Sequence, residues 1–162
     1  MTSPLDPKAL RQVFGQFCTG VTAVCVSGPD GRRYGITVNS FSSLSLDPPL
    51  ALFALVRESE TLKAIQAARA FSINILAENQ QDISNALARK GGAEKMEVVP
   101  THPGVTGAPI IEGSIGYMDC VLHAEYEGGD HVIVVGEIKQ AAVGEALPPL
   151  LYFRSGYKTL PG

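Results

Sequence analysis

A mainly β chain, folded as a closed or half-closed antiparallel barrel with a few helices beside it, is the fold class this sequence predicts. Three observations carry that expectation. Short runs of β-branched and aromatic residues recur along the 162 residues. A long hairpin is legible from 114 to 143. The helical stretches are few and do not alternate regularly with the strands, which disfavours a doubly wound parallel sheet.

The first element is a helix. Asp6 can cap it and Pro7 suits its first position; Leu10, Val13, Phe14 and Phe17 fall on one face, with Gly20 as its end. VTAVCVS (21–27) reads as a strand, followed by a turn on Pro29-Asp30-Gly31. YGITVNSFSSLSL is a second strand region and stops at Asp47-Pro48-Pro49. LALFALV (50–56) reads as a strand buried on both faces. Ser59 suits the cap of a second helix with Leu62, Ile65 and Ala68 on one side. FSINIL (71–76) alternates again. A third helix begins near Asn79, turns Ile83, Ala86 and Leu87 inward and stops at Gly91-Gly92. Residues 93–114, rich in Pro and Gly, read as a long loop. SIGYMDCVLHAEY places Met118, Cys120, Leu122 and Ala124 on one face; EGGD turns the chain and HVIVVGEIKQAAV returns it. PLLYF is a last short strand before the tail RSGYKTLPG.

Composition excludes several function classes. The length fits one domain, read as spanning 1–162. Thirteen Lys and Arg stand against sixteen Asp and Glu, a net charge of −3. That balance offers no field for nucleic-acid phosphates. No stretch of eighteen apolar residues exists, and MTSPLDPKAL has no secretory-signal pattern, so a cytoplasmic location is expected. Cys18, Cys25 and Cys120 have no metal spacing and read as buried reduced thiols. Phosphate-loop, dinucleotide-fold and nucleophile-elbow motifs are absent. His123 and His131 flank the hairpin turn, but a metal site there needs a third ligand among Asp119, Glu125 and Asp130; no metal is expected.

The unusual stretch is GITVNSFSSLSLDPPL (35–50), which crowds Thr37, Asn39, Ser40, Ser42, Ser43 and Ser45 together. Two readings stand on residues alone. One is a polar strand edge running into a turn. The other is a lining for a ligand rich in hydrogen-bond acceptors, such as an isoalloxazine ring and its phosphate.

Five segments in order, FCTGVTAVC (17–25), GITVNSFSSLSLDPPL (35–50), FSINILAENQQDIS (71–84), GGDHVIVVGEI (128–138) and PLLYFRSGYKTL (149–160), resemble the flavin reductase-like family. The resemblance is strongest to the small reductase components of two-component flavin monooxygenases, such as that of 4-hydroxyphenylacetate 3-monooxygenase. It implies an antiparallel Greek-key split β-barrel, FMN or FAD as flavin, NADH or NADPH as hydride donor, a homodimer, and an oxygenase partner that receives reduced flavin. Hydride passes by positioning of cofactors, so no catalytic acid or base is implied. It also implies residue roles. Thr37, Val38, Asn39 and Ser40 border the flavin ring, largely through backbone groups, with Thr22 near the same ring, and Phe41, Ser42 and Ser43 follow the ribityl chain. Arg57 and Ser59 meet the phosphate, and Phe71 contacts the flavin tail. His131, Arg154 and Tyr157 stand on the nicotinamide side. Where many relatives have a second basic residue in the tail, this chain has Ser155-Gly156, which leaves the nicotinamide preference open. The alternative is a flavin-binding electron carrier of the same fold without nicotinamide turnover.

Overall fold

The structure is a computed structural model that describes residues 5–161. The ends of the expected 1–162 domain, and the first four residues of MTSPLDPKAL, lie outside the described residues.

Its centre is one seven-stranded antiparallel sheet. Arg33–Val38 (β3) and Thr22–Ser27 (β2) pair at one side. Ala70–Ile75 (β6), Gly116–Gly128 (β9) and His131–Val143 (β10) form the middle. Pro49–Val56 (β5) and Ser42–Leu46 (β4) form the other side, giving the order β3-β2-β6-β9-β10-β5-β4. The β9–β10 hairpin coils the sheet. The first half of β9 lies on β6, whereas the first half of β10 lies on β5. Register shifts at Val135/Gly136 and Ile138/Gln140 add local twist where the two halves diverge. A small second sheet joins Thr19–Gly20 (β1), Leu151–Phe153 (β11) and Gly156–Lys158 (β12). A two-stranded ribbon, Thr101–Pro103 (β7) with Pro109–Ile111 (β8), completes the strands of the described residues.

The barrel is split. β3 and β5 lie across its seam without a ladder, because the chain between β3 and β4 crosses there. One side chain bridges the gap. The Ser40 hydroxyl donates to the Ala54 carbonyl at 3.1 Å and accepts from the Ala54 N–H at 2.9 Å. A serine thereby satisfies one unpaired residue of a sheet edge.

Two hydrophobic clusters sit on the two faces of β2. Val24 and Val26 point into the barrel with Phe53, Leu55, Phe71, Ile73 and Val134, where Leu62 and Ile65 of Glu60–Ala68 (α2) join them. Val21, Ala23 and Cys25 point outward under Leu87 of Gln81–Ala88 (α3), with Met96, Val99, Ile111 and Leu150. Phe53 and Phe71 pack edge to face, 5.3 Å between centroids. A Cβ at Gly136 would lie 2.6 Å from the Phe71 ring, so this bulge position admits no side chain.

Several expectations hold. Asp6 caps Pro7–Phe14 (α1), accepting from Lys8 N–H, and Ser59 caps α2, accepting from Leu62 N–H. Others are corrected. α1 ends at Phe14, capped by Gly15, and Val13, Phe14 and Phe17 are exposed, because the helix lies over no part of the core. The region 34–46 is two strands broken at 39–41. β5 alternates: Ala51, Phe53 and Leu55 are buried, while the residues between them keep partial exposure. α3 follows a single 3-10 turn and ends at Ala88, before the glycine pair. The expected loop 93–114 contains a 3-10 helix, Ala93–Val98, and the β7–β8 ribbon. Arg33 fastens that 3-10 helix through the carbonyls of Met96 and Val99. The hairpin turn is tighter than EGGD, since β9 runs to Gly128. The tail holds β12, reached by a turn with Arg154 and Ser155 both at positive φ.

Ser40→Ala is expected to lower unfolding free energy by about 0.5–1.5 kcal/mol through loss of the seam bridge, measured by urea denaturation with an unchanged m-value. No change in stability would show that water replaces the hydroxyl at the seam.

Candidate functional site: a trough along the barrel seam

The split leaves a trough outside β3, and the residues that line it come from every element that meets there. At one end lies a cavity of about 390 Å³ bordered by Phe17, Cys18, Thr19, Thr22, Asn39 and Phe41. Its middle, about 230 Å³, is bordered by Val21, Thr37, Asn39, Ser84, Tyr152 and Tyr157. The two share Val21 and Asn39. The far end, about 450 Å³, runs from Ser59, Glu60 and Thr61 to Ala88, Arg89, Lys90 and Lys95, and shares Ala88 with the middle.

Asn39 sits where the chain leaves β3, at the junction of the first two cavities, and its amide makes no hydrogen bond among the described residues. Neighbouring polar groups are committed. The Thr37 hydroxyl donates to the Ser84 carbonyl at 2.7 Å, and the Ser84 and Tyr157 hydroxyls share a hydrogen bond of 2.6 Å. Tyr152 stands edge-on to Tyr157 at 5.7 Å, so strand β12, helix α3 and strand β3 hold one wall together. Thr22 is buried and spends its hydroxyl on the Val38 carbonyl at 3.0 Å. The Thr19 Oγ1, on the wall of the first cavity, is buried without a partner.

The far end has a different chemistry. α2 begins there, with its first amides free in the manner of any helix N-terminus. Ser59 and Thr61 are both buried, at 8% and 3% exposure. Ser59 caps the helix, whereas the Thr61 hydroxyl has no hydrogen bond among the described residues. Opposite, Lys95 donates to the carbonyls of Leu87 at 3.3 Å and Arg89 at 3.0 Å, closing the end of α3. Burial holds the Lys95 ammonium below the ordinary lysine range, and Arg89 presses the same way against the pull of Glu94.

The expected site residues divide accordingly. Thr22, Thr37, Asn39 and Phe41 border the trough, and Ser59 borders its far end. Val38 turns its side chain into the core, leaving only backbone toward the seam. The Ser40 hydroxyl belongs to Ala54. Ser42 and Ser43 are exposed on the edge strand, with the Ser42 hydroxyl on the Ser43 carbonyl. Arg57 donates to the Gly129 carbonyl at 2.9 Å and pairs with Glu127, whose carboxyl is held below its usual range by that hydrogen bond. Phe71 is corrected outright. Its ring is fully buried against Phe53 and Gly136, with no surface to offer a ligand.

The nicotinamide-side trio is not brought together in one chain. Tyr157 lines the middle cavity. Arg154 holds the end of α1, through its N–H on the Gly15 carbonyl at 2.9 Å and its Nε on Gln16 at 3.1 Å. His131 lies opposite Val56 and takes Asp130 at 2.7 Å, an interaction that holds the Asp130 carboxyl below its usual range. The two hairpin histidines do not meet either, since His131 faces Gly128 while His123 is beyond the Ala124–Val135 pair. No group of three or more His, Cys, Asp or Glu among the described residues could hold a metal. Sequence reading missed Phe17, Ser84, Thr61, Arg89 and Tyr152. The amphipathic α1 and the Ser59-x-Thr61 spacing were the signals for two of them; Ser84 reads as an ordinary helix residue.

The profile of the flavin reductase-like domain matches residues 14–161. The chain belongs to the flavin reductase-like family. A reductase subunit of a flavin-dependent monooxygenase from Mycobacterium tuberculosis is 39% identical over 161 residues, covering 97% of this chain and 84% of that protein. A flavin reductase of Pseudomonas putida is 39% identical, covering 96% and 91%. The NADH:FAD oxidoreductase of Streptomyces globisporus, solved in complex with NAD and FAD fragments, superposes with a TM-score of 0.89 at 33% identity, over 99% of this chain and 98% of that one. The mainly β, antiparallel split barrel is thus the fold of this family.

The cysteines give a direct check on the packing of the sheet. Cys25 and Cys120 are buried, and burial pushes both thiols up to about 12, whereas Cys18 is exposed, against the expectation of three buried thiols. A thiol reagent at pH 8 is expected to label one cysteine per native chain, Cys18, and three after denaturation. Rapid labelling of more than one in the native protein would contradict the packing of β2 and β9.

Proposed function

We propose that this flavin reductase-like chain is an NAD(P)H:flavin oxidoreductase. As a single domain over 1–162, it transfers hydride from NADH or NADPH to FMN or FAD. Reduced flavin then goes to the oxygenase component of a two-component flavin-dependent monooxygenase. The observation that carries the reading is the trough itself. It is apolar and aromatic-edged at Phe17 and Phe41, fringed by hydrogen-bonding groups at Thr37 and Asn39, and ends at a helix N-terminus with two buried hydroxyls. An elongated molecule with a flat polar-edged ring and a phosphate fits that sequence of environments. The orphaned Thr19 hydroxyl, and the Thr61 hydroxyl and Asn39 amide that make no hydrogen bond among the described residues, are groups such a ligand would satisfy.

Bound there, a flavin supplies the hydride-accepting chemistry. The chain's own residues bind, orient and exclude water. Backbone groups of Val38 and Ser40 and the side chains of Thr37 and Asn39 face the ring. Ser42 and Ser43 lie further along the edge, and Ser59, with Arg57 behind it, meets the phosphate. Tyr157 stands on the nicotinamide side; His131 and Arg154 serve that side only if a second subunit completes it.

A homodimer is supported by apolar residues left bare on the surface: Val13 and Phe14 at the end of α1, Phe17 just after it, and Leu44 and Leu46 on β4, the last 97% exposed. A second copy covering them would shelter the ring end. We assign a cytoplasmic location on the three unpaired thiols; no helix of the described residues is long and apolar enough to cross a membrane. The relatives' names support an oxygenase partner, and we take its substrate to be aromatic, in the manner of 4-hydroxyphenylacetate 3-monooxygenase.

The test is turnover: purified protein with NADH or NADPH, and FMN, FAD or no flavin, followed by loss of nicotinamide absorbance. Flavin-dependent oxidation is expected. Flavin binding without oxidation would support the electron-carrier alternative instead. Asn39→Ala is expected to weaken FMN binding by about 0.5–1.5 kcal/mol with little change in thermal stability, read by titration calorimetry. Saturating FMN is expected to slow alkylation of Cys18 severalfold; unchanged labelling would place the flavin elsewhere.

A further inference from the structure

The far end of the trough is larger than one phosphate requires. Its volume of about 450 Å³ is in the range of a ligand pocket in its own right, roughly 300–1,000 Å³. A phosphate on the first amides of α2, beside Ser59 and Thr61, would occupy only one wall. The other wall is Arg89, Lys90 and Gly91. This wall is built rather than frayed. Lys95 reaches back to the carbonyls of Leu87 and Arg89, and Gly91, at φ +154°, turns the chain away immediately after the two cations. Arg89 itself leaves the helix in an extended conformation. Neither the Arg89 nor the Lys90 side chain has an ion pair or hydrogen bond among the described residues, although both border the cavity. Of the two carboxylates on the rim, Glu60 is paired with Lys63 at 3.0 Å, which leaves Glu58 alone against Arg89 and Lys90. Thr61, a 3% exposed residue on the same cavity, has a hydroxyl with no hydrogen bond among the described residues, which marks the space between the walls as polar.

We propose that Arg89 and Lys90 form a second phosphate subsite. It takes the adenylate phosphate of a dinucleotide flavin and gives the enzyme a preference for FAD over FMN. The inference rests on the flavin reading above. In FAD the second phosphate is joined directly to the first. A site with one phosphate on α2 therefore places the next within the same cavity, toward the wall that carries the unpaired Arg89 and Lys90. FMN ends at the first phosphate and leaves the cations unused. Two guanidinium or ammonium contacts at an exposed rim correspond to about three- to tenfold in affinity, and that contribution falls with salt.

The experiment is calorimetric titration of the full chain with FMN and with FAD, for the native protein and the Arg89→Ala/Lys90→Ala double variant, at low and at moderate salt. The native protein is expected to bind FAD more tightly than FMN. The variant is expected to lose about three- to tenfold for FAD and less than twofold for FMN, with a weaker salt dependence for FAD. Charge reversal, Arg89→Glu/Lys90→Glu, is expected to deepen the FAD loss, and thermal melts confirm that both variants fold. Equal losses for the two flavins would overturn the proposal, because the cations would then serve the shared phosphate. No loss for either flavin would overturn it as well. Unchanged FAD binding with a raised KM for NADPH and not NADH would overturn it by assigning the cations to the nicotinamide 2′-phosphate. A native protein that binds neither flavin would remove the functional reading itself, an outcome separate from all of these.

Discussion

The structure turns on a seam that the sheet does not close. β3 and β5 come face to face where the chain crosses from β3 to β4, and backbone pairing between them is replaced by one hydroxyl, that of Ser40 on Ala54. Sheet edges demand partners, and a closed barrel would supply them at the cost of any groove. Here the edge is covered instead by α2, α3 and the small β1–β11–β12 sheet. The space left between these covers and the seam is the trough.

The clamping of the trough walls follows from how β2 is buried. Its two faces feed two separate clusters, so β2 and β3 are fixed from both sides. α3 is held to β3 by Thr37 on the Ser84 carbonyl and to β12 by Ser84 on Tyr157. The turn between β11 and β12 places two non-glycine residues at positive φ, a conformation that costs about 1–3 kcal/mol per residue. It is held there by Arg154 on Gly15 and Gln16. Ligand-facing residues are thus set by rigid elements on three sides, the arrangement that positioning two flat cofactors requires. Polarity then changes along the trough, from the aromatic edge at Phe17 and Phe41 to the hydroxyls and amides at the start of α2.

Much of this was legible in the sequence, for reasons that were local. Asp6-Pro7 and Ser59 announce helix starts through side-chain acceptors that lie two or three residues from their donors. The alternation of Met118, Cys120, Leu122 and Ala124 announces a strand, though its other face is also buried at Asp119. The Thr37–Ser43 burst drew attention to this stretch, but the break at 39–41 inside it was not legible, because it depends on where β4 meets β5. What failed was non-local. Phe71 has the look of a strand-start aromatic, and only the absence of a side chain at Gly136, 65 positions later, makes it core. The apolar face of α1 predicted burial, yet the fold offers it no partner within the chain. The partner of the Ser40 hydroxyl, Ala54, was not legible either, because the closure of the barrel fixes it. The far wall at Arg89 and Lys90 was invisible because it depends on where Lys95 folds back.

The central claim is that a flavin lies along the seam, with its ring at Asn39 and its phosphate at the start of α2. A crystal structure of the protein with FMN tests it most directly. The account predicts ring density beside Thr37, Asn39 and Phe41, and phosphate density within hydrogen-bonding distance of Ser59 and Thr61. A flavin bound on any other surface, or lying reversed in the trough with its phosphate at Phe17, would contradict it.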